Sequence, residues 1–403
     1  MATASGIFKQ VKYKVESAYG TIPAASASQA IRRVSSSLDM TKDTFQSGEI
    51  RPDFQMADYR HGVRKVAGTL SGELSAKTYS DFMAAALKKA FTATAVITGA
   101  SITIAGTAGA WTITRAAGSY LTDGVKIGDV IRLTAGSFNA ANLNKNILIT
   151  GLTATVATGL VLNASVLVAE GPIASASVTV VGKKSLVPQT GHTDLSFSIE
   201  HWYQDVPASE VFSGCKVSKV SIGLPATGMA TCAIDFMGKD VTPSASEYFT
   251  SPTALTTTGV MASVNGVVRV GGNTVANVTG LSIDIASAQS GEPSVGSNTV
   301  AFQAAGRVIV TGQITMTFDS TTMRDAFYNE TEISLYAVFT ADNTASSDFV
   351  GFSIPRLKVG GASRDDGEKT IIVTLPFQAL LNTAGGAALA TDLTTISIQD
   401  SAA

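Results

Sequence analysis

Apolar and polar residues alternate with a period of two along most of the chain, which is the pattern of half-buried β-strands. The stretch VAGTLSGEL, beginning at Val66, is one example, and VTGQITMTF, beginning at Val310, is another. The alternation stops at TYSDFMAAALKKA and at TTMRDAFYNE, where the spacing predicts two short helices. The expected N-caps are Ser75 or Thr78 in the first and Asp319 or Thr321 in the second. The pattern predicts an all-β fold with short helices.

The two example strands belong to an internal repeat, which the tetrapeptide QSGE marks at residues 46–49 and 289–292. The same shift of 243 residues places Leu38 and Met40 on Leu281 and Ile283. A shift of 244 then aligns both strands and both helices. The matched pairs are Val66/Val310, Gly68/Gly312, Leu70/Ile314, Leu74/Phe318, Thr78/Thr322 and Asp81/Asp325. A weaker match pairs Phe212 and Gly214 with Phe349 and Gly351.

The repeat predicts a duplicated β-sandwich or barrel domain. The first copy covers residues 1–92 and 186–240, and the second covers residues 241–403. Residues 93–185 have no counterpart in the second copy, and they read as short strands with Gly and Asn turns about ten residues apart. We expect this segment to form a small inserted β-barrel that projects from the surface as a decoration.

Composition favours a subunit with large interfaces, because 45% of the 403 residues are hydrophobic and only 15% are charged. The net charge of −2 is unevenly distributed. Residues 1–92 hold 13 basic and 8 acidic side chains, whereas residues 241–403 hold 7 basic and 14 acidic ones. Opposite signs at the two ends suit head-to-tail contacts between identical copies. An ordinary gradient of surface charge is the alternative.

No membrane span, secretory signal or disulfide is expected. No apolar run approaches the roughly 20 residues of a spanning helix, and the N-terminal residues lack an apolar segment of the secretory type. The two cysteines flank a predicted turn centred on residues 226–227, which would place Cys232 opposite Ser221 and away from Cys215. Assembly in a reducing cytoplasm is the expectation.

Catalytic and metal-binding motifs are missing from the sequence. The three histidines, His61, His192 and His201, form no HExxH arrangement, and a cluster of the last two with Glu200 is the remaining metal-site hypothesis. Surface or interface histidines are the alternative. Walker, GxGxxG and GxSxG patterns do not occur. We therefore expect no catalytic residue, no cofactor and no metal, and a protein that is not an enzyme.

An acidic loop, GGASRDDGEK at residues 360–369, is the other candidate for a cation site. Its Asp365, Asp366 and Glu368 lack the alternating spacing of a calcium loop. Because the segment lies between two predicted strands, we interpret it as a polar hairpin tip.

Several segments resemble tail tube proteins of long-tailed bacteriophages. They are YKVESAYGTIP (13–23), SGEIRPDFQMADYRHG (47–62), GELSAKTYSDFM (72–83), FSIEHWYQDV (197–206), NETEISLYAVFTADN (329–343) and IPRLKVGGASRDDGEKTIIVTLPFQAL (354–380). The resemblance covers most of the chain apart from residues 93–185. It implies a β-sandwich with a flanking helix, which assembles as stacked rings of sixfold inner symmetry around a channel that conducts DNA.

The resemblance gives the duplication a reason, because a chain with two copies of the fold closes such a ring as a trimer. It also implies a non-contractile tail, assembly in the host cytoplasm, and virion partners: tail terminator, tape-measure and tail-tip proteins. Double-stranded DNA would pass without specific binding, so we expect a neutral or negative channel lined by small polar side chains. No membrane partner is implied. A tail-tip or adhesin-type binding protein built of Ig-like domains is the alternative, although such domains carry no regular helix after the second strand.

The long loops after the two QSGE sequences, about residues 45–61 and 289–305, are the expected contacts between subunits, mostly in adjacent rings. The candidate contact residues are Gln46, Glu49, Arg51, Asp53, Phe54, Met56, Asp58, Arg60, Gln289 and Glu292. The N-terminal arm through Pro23 is a second candidate. The basic run RHGVRK, at residues 60–65, is expected to contact another subunit, and contact with DNA is the alternative.

Overall fold

A computed structural model describes residues 3–163, 166–275, 277–365 and 368–403. The fold is all-β with two short α-helices, as the alternation of apolar and polar residues predicted. The strands before and after the first helix are β1 (Lys9–Val15), β2 (Ser26–Ala30), β3 (Ser35–Ser36), β4 (Asp39–Gln46) and β5 (Tyr59–Glu73), then α1 (Ser80–Leu87) and β6 (Thr92–Ala93).

The next strands build the insertion and the rest of the first sheet. The insertion contains β7 (Val96–Thr107), β8 (Ala110–Arg115), β9 (Val130–Ala135), β10 (Ile147–Leu152), β11 (Val156–Val161) and β12 (Glu170–Val180). After it come β13 (Lys183–Leu186), β14 (Phe197–Tyr203), β15 (Ala208–Pro225), β16 (Thr231–Gly238), β17 (Asp240–Ser244) and β18 (Ser251–Thr253).

The remaining elements follow a 3₁₀ turn at Ser263–Asn265. They are β19 (Gly266–Val270), β20 (Asn273–Thr274), β21 (Val278–Ala286), β22 (Gln289–Pro293), β23 (Val300–Ala305), β24 (Ile309–Thr317), α2 (Thr322–Tyr328), β25 (Ile333–Thr340), β26 (Phe349–Val359), β27 (Ser363–Arg364), β28 (Ile372–Ala379) and β29 (Ser397–Asp400).

The same order of strands occurs twice. In the first half, antiparallel pairs link β4, β5, β16, β15, β14 and β1 in that order. In the second half they link β21, β24, β28, β26, β25 and β19. A short helix follows β5 and β24, the corresponding strands. The two halves therefore share their topology, and we refer to them below as the first and second repeats.

The registers of the two repeats also agree. Gly68 lies opposite Phe236 on β16, and Gly312 lies opposite Phe377 on β28. Both glycines let an edge strand approach closely. A Cβ on Gly68 would meet the Leu38 Cα at 2.5 Å, and one on Gly312 would meet the Ser282 carbonyl oxygen at 2.2 Å. The sequence match of Gly68 with Gly312 thus marks one structural position.

Two of the sequence matches are in the wrong register. Met40 pairs with Val66, whereas Ile285 pairs with Val310, so Met40 corresponds to Ile285 and not to Ile283. A shift of two residues keeps every side chain on the same face, which is why alternation alone did not detect it.

The weaker match of Phe212 and Gly214 with Phe349 and Gly351 is also displaced. Val217 lies opposite Phe236, and Val359 lies opposite Phe377. Because Phe236 and Phe377 occupy the same position in the two repeats, Val217 corresponds to Val359. The true shift on this strand is therefore 142 residues, from 217 to 359, and the proposed one was 137.

Helix α1 fills the first repeat from one side. Phe82 packs against Tyr13 and Phe236, with ring centroids 4.6 and 5.2 Å away. Its N-cap is Tyr79 and not Ser75 or Thr78, whose hydroxyls bond each other at 2.7 Å. Thr321 does occupy the N-cap of α2, but without a side-chain capping bond. Burial of the helix face, and not capping, holds α1 in place.

The insertion is a closed barrel of six strands, β7 to β12, with its own apolar core. It is inserted in the first repeat but packs on the second, where Val338 and Phe349 join a buried cluster with barrel residues. The Gln399 side chain bonds both the amide and the carbonyl of Val130, at 2.8 and 2.9 Å. The barrel is therefore fastened to the body by more than its two connecting chains.

A buried ionic cluster lies at the same junction. The Lys184 ammonium lies 2.5 Å from the Asp129 carboxylate and 2.6 Å from the Asp392 carboxylate. Burial alone would lower the pKa of Lys184, but the two carboxylates outweigh it and raise that pKa. Lys184 thus stays charged and joins the barrel to the C-terminal segment.

The connection between the repeats packs on the first repeat. Strand β17 pairs with β15, and β18 pairs in parallel with β2. The connection stays on the first repeat beyond β18, because Val260 bridges Ser75 and Ala262 bridges Met229. The boundary expected after residue 240 therefore lies within a segment that still contacts the first repeat.

Candidate assembly surfaces

The loop that joins β4 to β5 presents apolar side chains to solvent. Ile50 and Phe54 are fully exposed, and Met56 is exposed over more than half of its surface. Phe54 also has φ = 57°, which is unusual for a non-glycine residue. Single exposed apolar residues are ordinary, but a group of them on one protruding loop is typical of a contact surface. We call residues 47–58 the first tip.

Short-range ion pairs shape the first tip. The Arg51 guanidinium binds the Asp53 carboxylate through two nitrogens, at 2.7 and 3.0 Å, and lowers the pKa of Asp53. Arg60 binds Asp58 at 2.6 Å. Exposed pairs of this kind add little stability, so their role is to shape the loop. These four predicted contact residues are thus brought together in pairs.

The second QSGE sequence lies in a strand and not in a loop. Residues Gln289–Pro293 form β22, which pairs with β23, and the hairpin ends at the fully exposed Val295. The Gln289 amide donates to the Ser287 hydroxyl at 3.2 Å, so Gln289 serves its own chain. Glu292 is exposed and accepts a bond from Ser290 at 2.9 Å. We call residues 294–299 the second tip.

The two tips lie at one end of the molecule. Pairing through β5, β16, β15, β21 and β24 places Tyr59 and Ile309 at the same end of these strands. The Arg64 amide donates to the Asn298 carbonyl at 2.9 Å, which links the second hairpin to the base of the first. Gln46, opposite Tyr59, ends β4 at the same place.

The strands at the two ends of the joined sheet, β4 and β27, each have one unpaired edge in the part of the chain that the structure describes. Strand β4 pairs with β5 alone, and β27 pairs with β28 alone. These edges lie at opposite sides of the sheet formed by the two repeats. An open edge with free amide and carbonyl groups is a template for pairing with another chain.

The two repeats of one chain are joined to each other by hydrogen-bonded pairing between an edge strand of each. Strand β15 of the first repeat pairs with β21 of the second over seven residues, Lys219↔Ala286 to Pro225↔Gly280. On the solvent face, Lys219 and Asp284 form an ion pair at 3.1 Å across the join. The join makes one continuous sheet from two copies of the fold.

The N-terminal residues do not form a free arm. Strand β1 pairs with β14 along Lys9–Val15. Residues on both sides of β1 are exposed, among them Ile7 before it and Ser17, Ala18 and Thr21 after it. The contact of this segment with neighbouring subunits stays a prediction.

The histidines do not form a metal site. His201 is buried with its Nε2 atom 2.8 Å from the Ser36 hydroxyl, whereas His192 and His61 are exposed. Burial, with the charges of Lys9 and Arg33, lowers the pKa of His201 to about 3. The neighbouring Glu200 is occupied as a buried acceptor of the Tyr248 and Phe249 amides, at 2.7 and 3.0 Å. No metal-ligating group of three side chains occurs among the described residues.

The cysteines and the acidic loop serve the fold. Cys215 and Cys232 are both free and buried, and burial raises the pKa of each thiol. Cys232 lies opposite Ile222, one residue from the predicted Ser221. In the acidic loop the Asp365 carboxylate accepts the Ile372 amide at 2.6 Å, and Asp366 lies outside the described residues.

Intramolecular pairing accounts for part of the basic run at residues 60–65. Arg64 pairs with Asp240 at 3.0 Å, and Lys65 pairs with Asp43 at 2.9 Å. These side chains are neutralised within the chain, which disfavours phosphate binding. Their contact with another subunit remains a prediction.

A comparison with known protein families identifies the kind of protein to which these surfaces belong. Residues 9–379 match the family described as phage tail tube protein. The chain belongs to this family. The match includes both repeats and the inserted barrel, and it confirms the resemblance seen in the sequence. A comparison with curated proteins finds no match.

Membership makes the protein a structural component of the phage tail, and therefore of the virion. Tail tube proteins assemble with copies of themselves and with other virion proteins, so the exposed tips and open edges have an expected use. Neither of the two helices, in the residues described, has the length and hydropathy needed to cross a membrane.

Sequence reasoning predicted a long loop at each tip, but it did not predict which strands have an open edge. Alternation identifies which side chains share a face, but it does not tell whether a strand has one neighbour or two. The signal that was available is the repeat itself. In the correspondence between the repeats, β21 matches β4, and β15 matches β26 together with β27. Because β15 and β21 pair with each other inside the chain, their counterparts β27 and β4 are the strands that lack such a partner.

Proposed function

We propose that three copies of this chain close a ring of six repeats, and that stacked rings form the tube of a non-contractile tail through which DNA is ejected. The observation that carries this proposal is the pairing of β15 with β21, which joins two repeats edge to edge within one chain. The corresponding edges at the two ends, β27 and β4, are open. The same kind of strand pairing, formed between β27 of one chain and β4 of the next, closes the ring.

The correspondence between repeats gives the register of the join between chains. Ser221 lies opposite Asp284 in the join within the chain. Ser221 corresponds to Ser363, because both lie four residues after the matched valines 217 and 359. Asp284 corresponds to Asp39, because each precedes its matched residue, Ile285 or Met40. Ser363 of one copy therefore lies opposite Asp39 of the next.

Charge supports this pairing of unlike ends. The edge strand β4 carries Asp39 and Asp43 with a single lysine, whereas β27 carries Arg364, so the two edges have opposite charge. The join is heterologous, and a heterologous contact that closes on itself produces a ring. With two repeats in each chain, three chains supply six.

The solvent face of the joined sheet is the proposed wall of the channel. Its opposite face carries the apolar core, including Leu70, Ile234 and Val220. Lys219 on the solvent face is paired with Asp284, and Asp235 accepts the Thr69 hydroxyl at 2.5 Å. Most other side chains on this face are small and polar: Ser71, Ser221, Ser282, Thr311, Thr315 and Thr374. Such a surface has no row of free cations to retain DNA phosphates.

The remaining parts of the proposal follow from this ring. The repeats are separate domains, residues 1–92 with 186 to about 262 and about 263–403, and the inserted barrel at 93–185 lies on the outside of the tube. The tips contact neighbouring subunits, mostly in the adjacent ring. Tail terminator, tape-measure and tail-tip proteins are the other partners, assembly occurs in the host cytoplasm, and the chain has no enzymatic activity.

A cysteine pair tests the join between chains. We expect the double variant Asp39→Cys with Ser363→Cys to form disulfides between copies, because directly opposite residues of antiparallel strands have Cα atoms about 4.5–5.5 Å apart. Both positions are exposed in the monomer, and the native cysteines are buried. Oxidised rings should yield covalent species of up to three chains on a denaturing gel.

The matched control moves one cysteine by two residues, in the variant Thr41→Cys with Ser363→Cys. This pair lies on the same face but roughly 7 Å farther along the strand, so it should cross-link weakly. Equal cross-linking in both variants, or covalent species of six chains in a closed ring, would contradict the proposed join.

A further inference from the structure

An apolar groove with a positive rim lies at the end of the molecule opposite the tips. Residues 6–11, 30–34 and 252–255 line it, and it encloses about 790 Å³. Ile7, Val34 and Leu255 are exposed within it by at least half of their surface. We call it the first groove. The groove is open to solvent, and its sides are built from segments that pack in the first repeat.

Three cations surround the first groove, and none forms a salt bridge with a carboxylate in the described chain. Lys9 donates to the Ser36 carbonyl at 3.1 Å, and Arg32 donates to the Thr258 carbonyl at 2.7 Å. Arg33 donates to the Gly6 carbonyl at 3.1 Å. Burial and the charge of Arg33 lower the pKa of Lys9 and outweigh the charge of Glu210, which raises it, so the repulsion between Lys9 and Arg33 is only partly balanced. An added carboxylate would relieve this repulsion.

The first tip has the complementary chemistry. It presents the exposed side chains of Ile50 and Phe54, and Glu49 stands beside them without a side-chain partner among the described residues. Residues 47–58 hold three acidic side chains and one basic one. An acidic apolar loop and a basic apolar groove match in both charge and character.

The tip and the groove are also separated along the direction in which rings would stack. The tip adjoins Tyr59 at the start of β5, and the groove adjoins Ser71 near its end, where the Val34 amide donates to the Ser71 carbonyl at 2.8 Å. Twelve residues of strand span about 40 Å. A contact between opposite ends of identical molecules repeats without closing, which builds a filament.

We propose that the first tip of one copy inserts into the first groove of a copy in the next ring, with Ile50 and Phe54 in the groove and Glu49 among Lys9, Arg32 and Arg33. This inference rests on the proposed ring, and it names the surface that receives the loop. The contact supplies the carboxylate that the rim lacks.

The second repeat carries a smaller version of the same pair. Its groove lies at the corresponding place, between β19 and the start of β21, and includes Leu224, Val268 and Val278 around about 210 Å³. No cation lines it, and the second tip presents Val295. The charged tip and the charged groove thus occur together only in the first repeat. Their contact aligns the first repeat of one ring with the first repeat of the next ring and so fixes the rotation between rings.

Cross-linking tests the contact in assembled protein. The variant Ile50→Cys with Leu255→Cys, treated with a short bismaleimide after polymerisation, should give a ladder that extends well beyond three chains on a denaturing gel. Each copy would be linked to one above and one below. Ile50→Cys with Val96→Cys is the matched control, because Val96 is exposed on the inserted barrel, and it should give no ladder.

Two results would overturn the inference. In one, tubes form but the double variant gives no ladder. In the other, the ladder ends at three chains and also forms in unpolymerised rings, which would place the contact within a ring. Both leave the proposed trimeric ring intact, whereas failure of the wild type to form trimers would count against the ring itself.

Charge reversal provides a second test that does not depend on chemical reactivity. Glu49→Lys should weaken stacking on the order of tenfold, as should Arg33→Glu. The double variant Glu49→Lys with Arg33→Glu should recover part of that loss, measured by sedimentation of tubes from trimers. Additive losses in the double variant would contradict the pairing.

Discussion

His201 is a buried imidazole that the fold keeps neutral. Its Nε2 atom has the Ser36 hydroxyl as a neighbour, its ring packs edge-on against Phe212, and Lys9 and Arg33 oppose a further positive charge. The sequence left a metal ligand and a surface or interface histidine as alternatives. The structure buries His201 within its own chain, where several of its neighbours, Ser36, Lys9 and Arg33, lie 165 or more residues away in the sequence.

The depressed pKa of His201 predicts an acid-dependent loss of stability. Unfolding returns its pKa from about 3 to near 6.5, so between these values the unfolded state binds the extra proton. Stability is therefore fully present above pH 6.5 and declines as the pH falls towards 3, by up to about 1.4 kcal/mol for each pH unit. The measurement is the free energy of unfolding of the purified protein against pH, for wild type and His201→Gln.

The comparison isolates the histidine, because the other titrating groups are common to both proteins. We expect the advantage of the wild type over His201→Gln to shrink steadily as the pH decreases from 6.5. A difference that stays constant over this range would mean that His201 is not the responsible group.

At the scale of elements, local patterns predicted the strands, both helices and the inserted barrel, whereas long-range packing was out of reach. The period-two pattern tolerates a slip of two residues, so β4 was matched to β21 in the wrong register. The first groove combines residues near positions 6, 32 and 253, and no local pattern links such distant segments. The exposed Phe54 and the paired Arg51 and Asp53 were accessible to sequence reasoning, because they lie together in one loop.

The contact between the inserted barrel and the second repeat predicts a strong effect of one core residue. Phe349 is fully buried in the cluster shared with Val130 and Leu148 of the barrel. Phe349→Ala should lower the free energy of unfolding by about 3–5 kcal/mol. Limited proteolysis should then cut the barrel junction faster than in the wild type.

Phe302→Ala is the matched control, since Phe302 is more than half exposed on β23. It should change the stability by less than about 0.5 kcal/mol. If Phe349→Ala behaves like this control, the shared apolar cluster contributes nothing to the attachment of the barrel, which then depends on its connecting chains and polar contacts.

At the scale of the whole molecule, duplication, edges and tips form one arrangement. The join between β15 and β21 shows how one repeat adds to the next, and the open edges on β4 and β27 allow it to continue into another chain. The tips and grooves lie at the two ends of the same strands, at right angles to that join. In the proposed assembly, one direction closes a ring and the other adds rings to each other.

The symmetry of a reconstructed tube distinguishes the proposed ring from its alternatives. Electron cryomicroscopy of polymerised protein should show three chains in each layer, six sheets around the channel, and inserted barrels on the outside at three positions. We expect β27 of each chain to lie beside β4 of the next. Six chains in a layer, or a ring in which either of these edges remains unpaired, would contradict the proposed ring.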